Sequence, residues 1–486
     1  MSNSHFDLSA MARQEMIAQG FHPDFPPAVD QQVKTLESQP AAPGPNSDLR
    51  DLRSLLWSSI DNDTSRDLDQ VEVAERLPGG GIKVLVGIAD VDWLVPKATA
   101  IDLHAAVEGT TVYTGVENFS MLPEQLSTGL TSLLENEDRR AIVIEFVVDS
   151  DGGISGFSFY PALLQNRAQL TYNAVGAWLG NGGAAPPKVA ASPDLQAQLR
   201  LQDECAQLLK KARERRGALN IDTTEVRPLL VDQKIVNLVQ DAKNRATDLI
   251  EDFMIAANET VAKKLESVSS IRRIVKTPER WDRIVALAAA HGGNLPAQPD
   301  AKALNDFLQK RKAVDPDHFP DVSLTVIKLM GPGEYVLERP GDPDQGHFGL
   351  AVQDYTHSTA PNRRYADLVT QRIIKATLAA NSPAYSDAEL ADVARVCTLK
   401  EDAARKVERE MRKRIAAVAM SDKIGQTFDA IVTGVNEHGS FVRVLQPHVE
   451  GMLVQGKQGL DVGDRLRVKL VRTDAHRGYI DFARAT

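Results

Sequence analysis

Four aspartates crowd one short stretch early in the chain, Ile-Asp-Asn-Asp-Thr-Ser-Arg-Asp-Leu-Asp-Gln, which runs from Ile60 to Gln70. Asp61, Asp63, Asp67 and Asp69 are separated by Asn62, Thr64 and Ser65, residue types that favour turns over regular structure. Carboxylates packed into a loop repel one another unless positive charge sits among them. A hard divalent cation such as magnesium meets that need, because it takes oxygen ligands and commonly binds through one or two carboxylates plus the phosphates of a substrate. A solvated acidic loop or a structural calcium site is the plainer alternative, although no glycine or terminal glutamate stands where an EF-hand loop requires them.

A second stretch favours chemistry over the plainer reading. His347 to Arg372 contains Tyr-Thr-His-Ser-Thr-Ala-Pro-Asn-Arg-Arg-Tyr-Ala-Asp-Leu, beginning at Tyr355. Together with the acidic loop it resembles the catalytic (RNB) domain of the ribonuclease II family of exoribonucleases, whose signature reads Tyr-Thr-His-x-Thr-x-Pro-x-Arg-Arg-Tyr-x-Asp-Leu. Further segments agree in order: Gly87-Ile-Ala-Asp-Val, Met121-Leu-Pro-Glu-Gln-Leu-Ser, Arg216-Gly-Ala-Leu and Glu251-Asp-Phe-Met-Ile-Ala-Ala-Asn-Glu. The resemblance covers roughly residues 57 to 420.

What the resemblance implies is a hydrolytic 3′-to-5′ exoribonuclease that degrades single-stranded RNA to nucleoside 5′-monophosphates. Asp61, Asp67, Asp69 and Gln70 would then hold one or two Mg2+ ions, with Asp69 and Arg363 as the catalytic pair. Tyr113 would stack on a base near the 3′ end, a contact open to any sequence because every base has a π-face. Asp252 would meet the terminal ribose, Arg364 would join Arg363 at the phosphates, and Glu408 would lie near the RNA path.

Two positions depart from the family. An aromatic is expected near Asn220 or Ile221, and a fourth aspartate is expected where Gln70 stands. An amide oxygen can ligate magnesium but brings no charge, which keeps open a function of another class, a catalytically weakened RNA-binding protein. No Walker-type phosphate loop is present, and no nucleotide cofactor is expected.

The elements that must position these residues read as an α+β protein. An apolar run at Val84 to Ala89, after the turn Pro78 to Gly81, predicts a buried strand beside the acidic loop, and Ile142 to Val148 predicts another. Helical periodicity marks Asp194 to Arg216, Asp241 to Leu265, Pro278 to His291, a helix from the paired arginines to about Ala379, and Asp387 to Ala417. The basic run at Lys210 to Arg216 is read equally as a solvated helical face or as a phosphate contact, whereas Arg405 to Arg414 is the most basic segment of the chain.

Three parts are expected: a helical N-terminal element over 1–52, a catalytic domain over 53–420, and a barrel over 424–486. The N-terminal element is a helix-turn-helix reader or a packing element, followed by a Pro-rich linker from Gln39 to Asn46. It is helical and short, so the paired cold-shock barrels common in the family have no room there. The last segment alternates short strands and turns, predicting a five-stranded oligonucleotide-binding barrel. Its wording resembles the S1 RNA-binding domain, with Phe428, His438 and Phe441 as candidate stackers, one phenylalanine being available for the core.

The formal charge of −10 excludes indiscriminate coating of nucleic acid, a mode that rests on a basic surface. A local basic channel remains compatible with it. No run of 18 apolar residues and no signal-peptide pattern occurs, so no membrane association and a cytoplasmic location are the default expectations, with a monomer assumed. Cys205 and Cys397 stand alone and read as reduced core thiols.

Overall fold

The computed structural model describes residues 6–38, 49–221, 225–231, 234–241, 243–316, 318–380, 382–436 and 439–485. At its centre is a seven-stranded mixed sheet. The strands run in the order Arg50–Asp51, Ile154–Gln165, Asp138–Val148, Ile82–Ala89, Gln70–Arg76, Ser58–Asp61 and Ala168–Thr171. The first and last pairings are parallel and the others antiparallel. Almost every residue of Ile82–Ala89 is buried, so both faces of the sheet are covered and the strand reads as continuously apolar rather than alternating.

Helices Pro193–Arg216 and Arg245–Lys264 lie side by side and pack on the sheet. Arg245–Lys264 starts at a capping box in which the Asn244 side chain accepts from the Ala246 and Thr247 amides and the Thr247 hydroxyl answers the Asn244 amide. It begins later than helical periodicity predicts, because Lys234–Asp241 forms a hairpin strand with Glu225–Val231 instead. Three short helices, Trp281–Ala290, Ala301–Val314 and Phe319–Met330, close around a small core of their own.

The longest helix, Asp387–Ala419, also begins at a capping box, between Ser386 and Glu389. Its buried Val407, Met411 and Ile415 fall at four-residue intervals, one stripe of a helix surface. The N-terminal helix Leu8–Ala18 lays Leu8, Ala12 and Met16 on that stripe, and Val112 and Phe119 complete the cluster. The second N-terminal helix, Pro27–Glu37, buries Val29 and Val33 in the main core. The apolar faces of this pair are therefore consumed inside the protein, in keeping with a packing element. The Gln39 to Asn46 linker lies outside the described residues.

The C-terminal strands Thr427–Asn436, Gly439–Val444, Val449–Gln455, Arg465–Asp474 and Tyr479–Arg484 close into a five-stranded barrel. Its interior is filled by residues such as Val432, Val442, Leu453, Leu470 and Phe482, and Ala417 and Met420 at the end of the long helix join the same core. Among the described residues no helix is long and apolar enough to cross a membrane.

Candidate active site

Strands Ser58–Asp61 and Gln70–Arg76 run antiparallel, with Ser58 opposite Glu72. That register brings the end of one strand and the start of the other to the same edge, so Asp61 and Asp69 flank the mouth of the loop carrying Asp63 and Asp67. Asp69 is 1% exposed. Its Oδ1 accepts the Asn362 amide at 2.9 Å and its Oδ2 accepts Arg363 Nε at 3.2 Å. The acidic loop and the signature stretch, nearly three hundred residues apart, thus meet through one carboxylate.

The signature loop is rigidly held. Asp367 Oδ1 accepts the Ala360 amide, and the Asp367 carboxylate takes both Nε and Nη2 of Arg364 at 2.8 Å. Asn362 Oδ1 accepts the Thr131 hydroxyl at 2.6 Å, and the Arg363 carbonyl accepts the Thr111 amide at 2.9 Å. With its backbone fixed from three sides, Arg363 keeps a half-exposed guanidinium beside Asp69. Arg364 differs: its fork is spent on Asp367 and positions the loop, so the structure does not present it as a free phosphate ligand.

Tyr113, at the end of strand Val112–Tyr113, donates its hydroxyl to Asp67 Oδ2 at 3.1 Å and its amide to Glu408 Oε1 at 3.1 Å. Two sequence-predicted residues from distant segments, Tyr113 and Glu408, therefore form one wall with the acidic loop. The Tyr113 side chain remains partly exposed, with a face available for stacking.

Electrostatics show a deficit of positive charge. Burial pushes the Asp69 carboxyl up to about 7, against the pull of Arg363 and the Asn362 amide. Burial also raises Asp61, although the Asn62 amide and the Ser65 hydroxyl oppose the rise. Glu72, fully buried, is raised well above the carboxylate range by desolvation and by the charge of Asp61. Such groups fit a cation. Among the described residues no three acidic, imidazole or thiol side chains converge into a ready-made cage. A divalent ion here would draw on a few protein oxygens and complete its shell from water and substrate.

Asp252 is not brought to this cleft. It is 2% exposed and ion-paired with Arg213 of the neighbouring helix, one rung of a ladder in which Lys210 meets Asp248 at 2.6 Å and Arg216 meets Glu259 at 3.6 Å. The basic run at Lys210 to Arg216 thus turns three of its cations onto the acids of Arg245–Lys264. On the basic stretch of the long helix, Arg405 pairs with Glu401 and Asp402, and Arg414 with Glu15 of the N-terminal helix.

The residues that sequence reasoning passed over are Tyr172, Glu251 and Glu72. Burial raises the Tyr172 hydroxyl, with the charges of Asp61, Glu72 and Glu251 adding to the rise and Arg363 opposing it. Tyr172 follows the strand Ala168–Thr171, whose Thr171 is the register partner of Asp61. Only that strand pairing makes the tyrosine a neighbour of the acidic loop, and no local pattern announces it. Glu251 was legible in one way: it adjoins Asp252 on a helix, where neighbours point about 100° apart, so only one of the two can face the cleft.

In the barrel, Phe428 is half-buried against the core, on the same side of its strand as Ala430 and Val432. Phe441 lies next to the buried Val442 and points outward, over the residues paired with it, Gly434 and Met452. Phe428 is thus the core phenylalanine and Phe441 the one available to a ligand. His438 lies outside the described residues.

The chain is similar to known proteins over both of its main parts. A family profile described as "RNB domain" matches residues 49–380, and one described as "RNase II-type exonuclease C-terminal S1 domain" matches residues 426–485. Ribonuclease R of Thermotoga maritima is 30% identical over 467 residues, covering 89% of this chain and 64% of the relative. Ribonuclease R of Escherichia coli is 31% identical over 452 residues, covering 88% of this chain and 54% of the relative. The chain therefore spans only about half to two thirds of the length of these curated relatives. Among solved structures, Mycoplasma genitalium RNase R in complex with ribose-methylated single-stranded RNA superposes with a TM-score of 0.86 at 22% identity, over 99% of this chain and 78% of that one. At that identity the likeness concerns the fold.

Proposed function

From the premise that this chain belongs to the RNB family, whose profile matches residues 49–380, we propose that it is a Mg2+-dependent hydrolytic exoribonuclease. It shortens single-stranded RNA from the 3′ end and releases nucleoside 5′-monophosphates. It works as a monomer in the cytoplasm and needs no nucleotide cofactor. The observation that carries the proposal is the contact between Asp69 and Arg363, because it joins the acidic loop to a half-exposed arginine at one point in a cleft.

Asp61, Asp67, Asp69 and the amide oxygen of Gln70 would hold the cation, which when bound supplies an activated water and neutralises charge at the leaving oxygen. The chain's own groups do the rest. Arg363, anchored through Nε, leaves the outer nitrogens of its fork for the scissile phosphate and the charge that builds on it. Asn362 and Asp367 fix the loop so that this geometry exists before the substrate arrives. Tyr113, held by Asp67 and Glu408, offers its ring to a base without reading its identity. Phe441 offers a second platform on the barrel. RNA as the ligand follows from the family reading, and one of the structures of the same fold, Mycoplasma genitalium RNase R, was solved in complex with single-stranded RNA.

The test is a gel of 5′-labelled single-stranded RNA incubated with the protein and Mg2+. A ladder shortening from the 3′ end is expected. Gln70, the neutral residue among the acids, favours the alternative of a catalytically weakened RNA binder, and RNA that is retained but stays full length would establish it instead.

A further inference from the structure

Helix Ala100–Glu108 ends at Gly109, whose positive φ of 69° favours glycine and where a Cβ would approach Lys400 Cβ at 2.9 Å. The segment 108–113 then runs between the two halves of the site. The Gly109 carbonyl accepts the Tyr365 amide at 2.9 Å, and the Arg363 carbonyl accepts the Thr111 amide at 2.9 Å and the Thr110 hydroxyl at 3.1 Å. Val112 is buried in the cluster shared by the N-terminal helix and the long helix, and Tyr113 is held by Glu408 and Asp67. One segment therefore sets both the loop that carries Arg363 and the ring of Tyr113.

At its start stands Glu108, a carboxylate only 4% exposed. Among the described residues its hydrogen bonds come from one residue of the N-terminal element: the His22 amide donates to Oε2 at 3.0 Å, and His22 Nδ1 lies 2.8 Å from Oε1. The backbone before His22 is fixed in turn. Lys400 of the long helix donates to the Gly20 carbonyl at 2.7 Å, and its ammonium sits 4.4 Å over the buried Phe21 ring. From there the helix Leu8–Ala18 lies along Val407, Met411 and Ile415, Glu15 pairs with Arg414 at 2.9 Å, and Phe6 meets His476 of the barrel edge to face. Buried polar atoms are nearly always satisfied, so the acid that opens the segment depends on the N-terminal element for its donors.

We propose that the N-terminal element braces the active site, with His22 and Glu108 as positioning residues. Their pairing fixes the start of segment 108–113, and that segment holds the Arg363 loop and presents the Tyr113 ring. The proposal rests on the places given to Arg363 and Tyr113 in the exoribonuclease reading above, and it gives a role to a part of the chain that the reading leaves without one.

Binding of single-stranded RNA with 2-aminopurine at its 3′ end to the full chain in EDTA tests this apart from turnover, because a ring stacked on that base quenches its fluorescence. Glu108→Ala is expected to lose most of the quench and, with Mg2+ restored, to lower kcat by about tenfold to a hundredfold, the scale of a slight misplacement. Glu108→Gln keeps an oxygen for the His22 amide and should recover most of both. Quench and kcat unchanged in Glu108→Ala, measured below its melting midpoint, overturn the proposal. So does an equal loss in Arg213→Leu, which weakens the fold elsewhere, since instability rather than position would then explain the effect. A quench that survives Tyr113→Leu means that the stacking role of Tyr113 is wrong, and the proposal falls with it. A wild-type chain that quenches through Tyr113 but never shortens RNA in Mg2+ overturns the exoribonuclease reading alone, and the brace is then decided by the quench. Should Glu108→Ala fail to fold, His22→Ala removes the imidazole but keeps the amide, and an unaltered quench in that variant also overturns the assignment.

Discussion

Asp69 and Asp252 are both buried aspartates whose carboxyls desolvation lifts, to about 7 and about 6 respectively, yet their surroundings differ in kind. Asp252 belongs to a ladder between two helices in which Lys210, Arg213 and Arg216 each meet an acid across the gap. Asp69 belongs to a cleft where it, Asp61 and Asp67 lie around Arg363. Equal numbers of opposite charges make a joint between helices. An excess of one sign, held in place by fixed backbone, makes a site that waits for a partner. Burial alone does not distinguish them, because both acids are nearly inaccessible.

The sharpest test of this contrast is Asp69→Asn, which should cut turnover by about 10²- to 10³-fold, the scale of losing a preorganised electrostatic group. RNA affinity should stay within a few-fold, because stacking and basic contacts lie elsewhere, and the melting temperature should not drop, since a neutral amide is easier to bury. Undiminished turnover would remove Asp69 from the site. On the ladder, the opposite pattern is expected. Arg213→Leu should cost about 3–5 kcal/mol in urea unfolding by stranding Asp252, with turnover per folded molecule unchanged; a folded but inactive variant would show that the ladder serves the site.

Acidity probes the same joint more gently. Folding raises the Asp252 carboxyl from 3.8 to about 6, so the folded chain holds this proton more tightly than the unfolded one. The stability linked to it is complete below its unfolded value, near pH 4, and is lost as the pH rises through about 6. Asp252→Asn should therefore flatten the stability curve between pH 4 and 6, by at most roughly 3 kcal/mol. A slope that survives the substitution would mean that another group causes it. The smallest change is expected at the rim: Gln70→Asp should lower the Mg2+ concentration for half-maximal turnover a few-fold by adding charge to the ligand set. An unchanged or higher requirement would count against Gln70 as a ligand.

Much of this was legible from the chain. The resemblance carried by the signature stretch and the acidic loop pointed to two segments that the structure brings together through Asp69. Strand alternation after Ile424 gave the barrel, and four-residue spacing gave the stripe of Val407, Met411 and Ile415. What was not legible depended on direction rather than type. Asp252 and Glu251 have the same chemistry, and helical phase alone sends Asp252 toward Arg213. Tyr172 comes near the acidic loop because the strand before it pairs beside Asp61, a long-range fact without a local trace. Glu72 sits on an interior strand of the sheet, and its buried, unpartnered carboxyl has no local trace in the sequence. The paired arginines looked alike, and the carboxylate of Asp367 separates them.

The long helix Asp387–Ala419 has a further consequence as a gauge. At 1.5 Å per residue its 33 residues span about 50 Å. About two thirds of the way along it carries Glu408, tied to the Tyr113 amide, and its far end is embedded in the barrel core through Ala417. Within this span a stiff rod, rather than a tether, sets the distance between the barrel and the cleft wall. A polymer touching both is measured against a fixed rule, so the shortest strand able to engage both should change in steps as whole helical turns are inserted between Glu408 and Ala417, and should be indifferent to the length of surface loops.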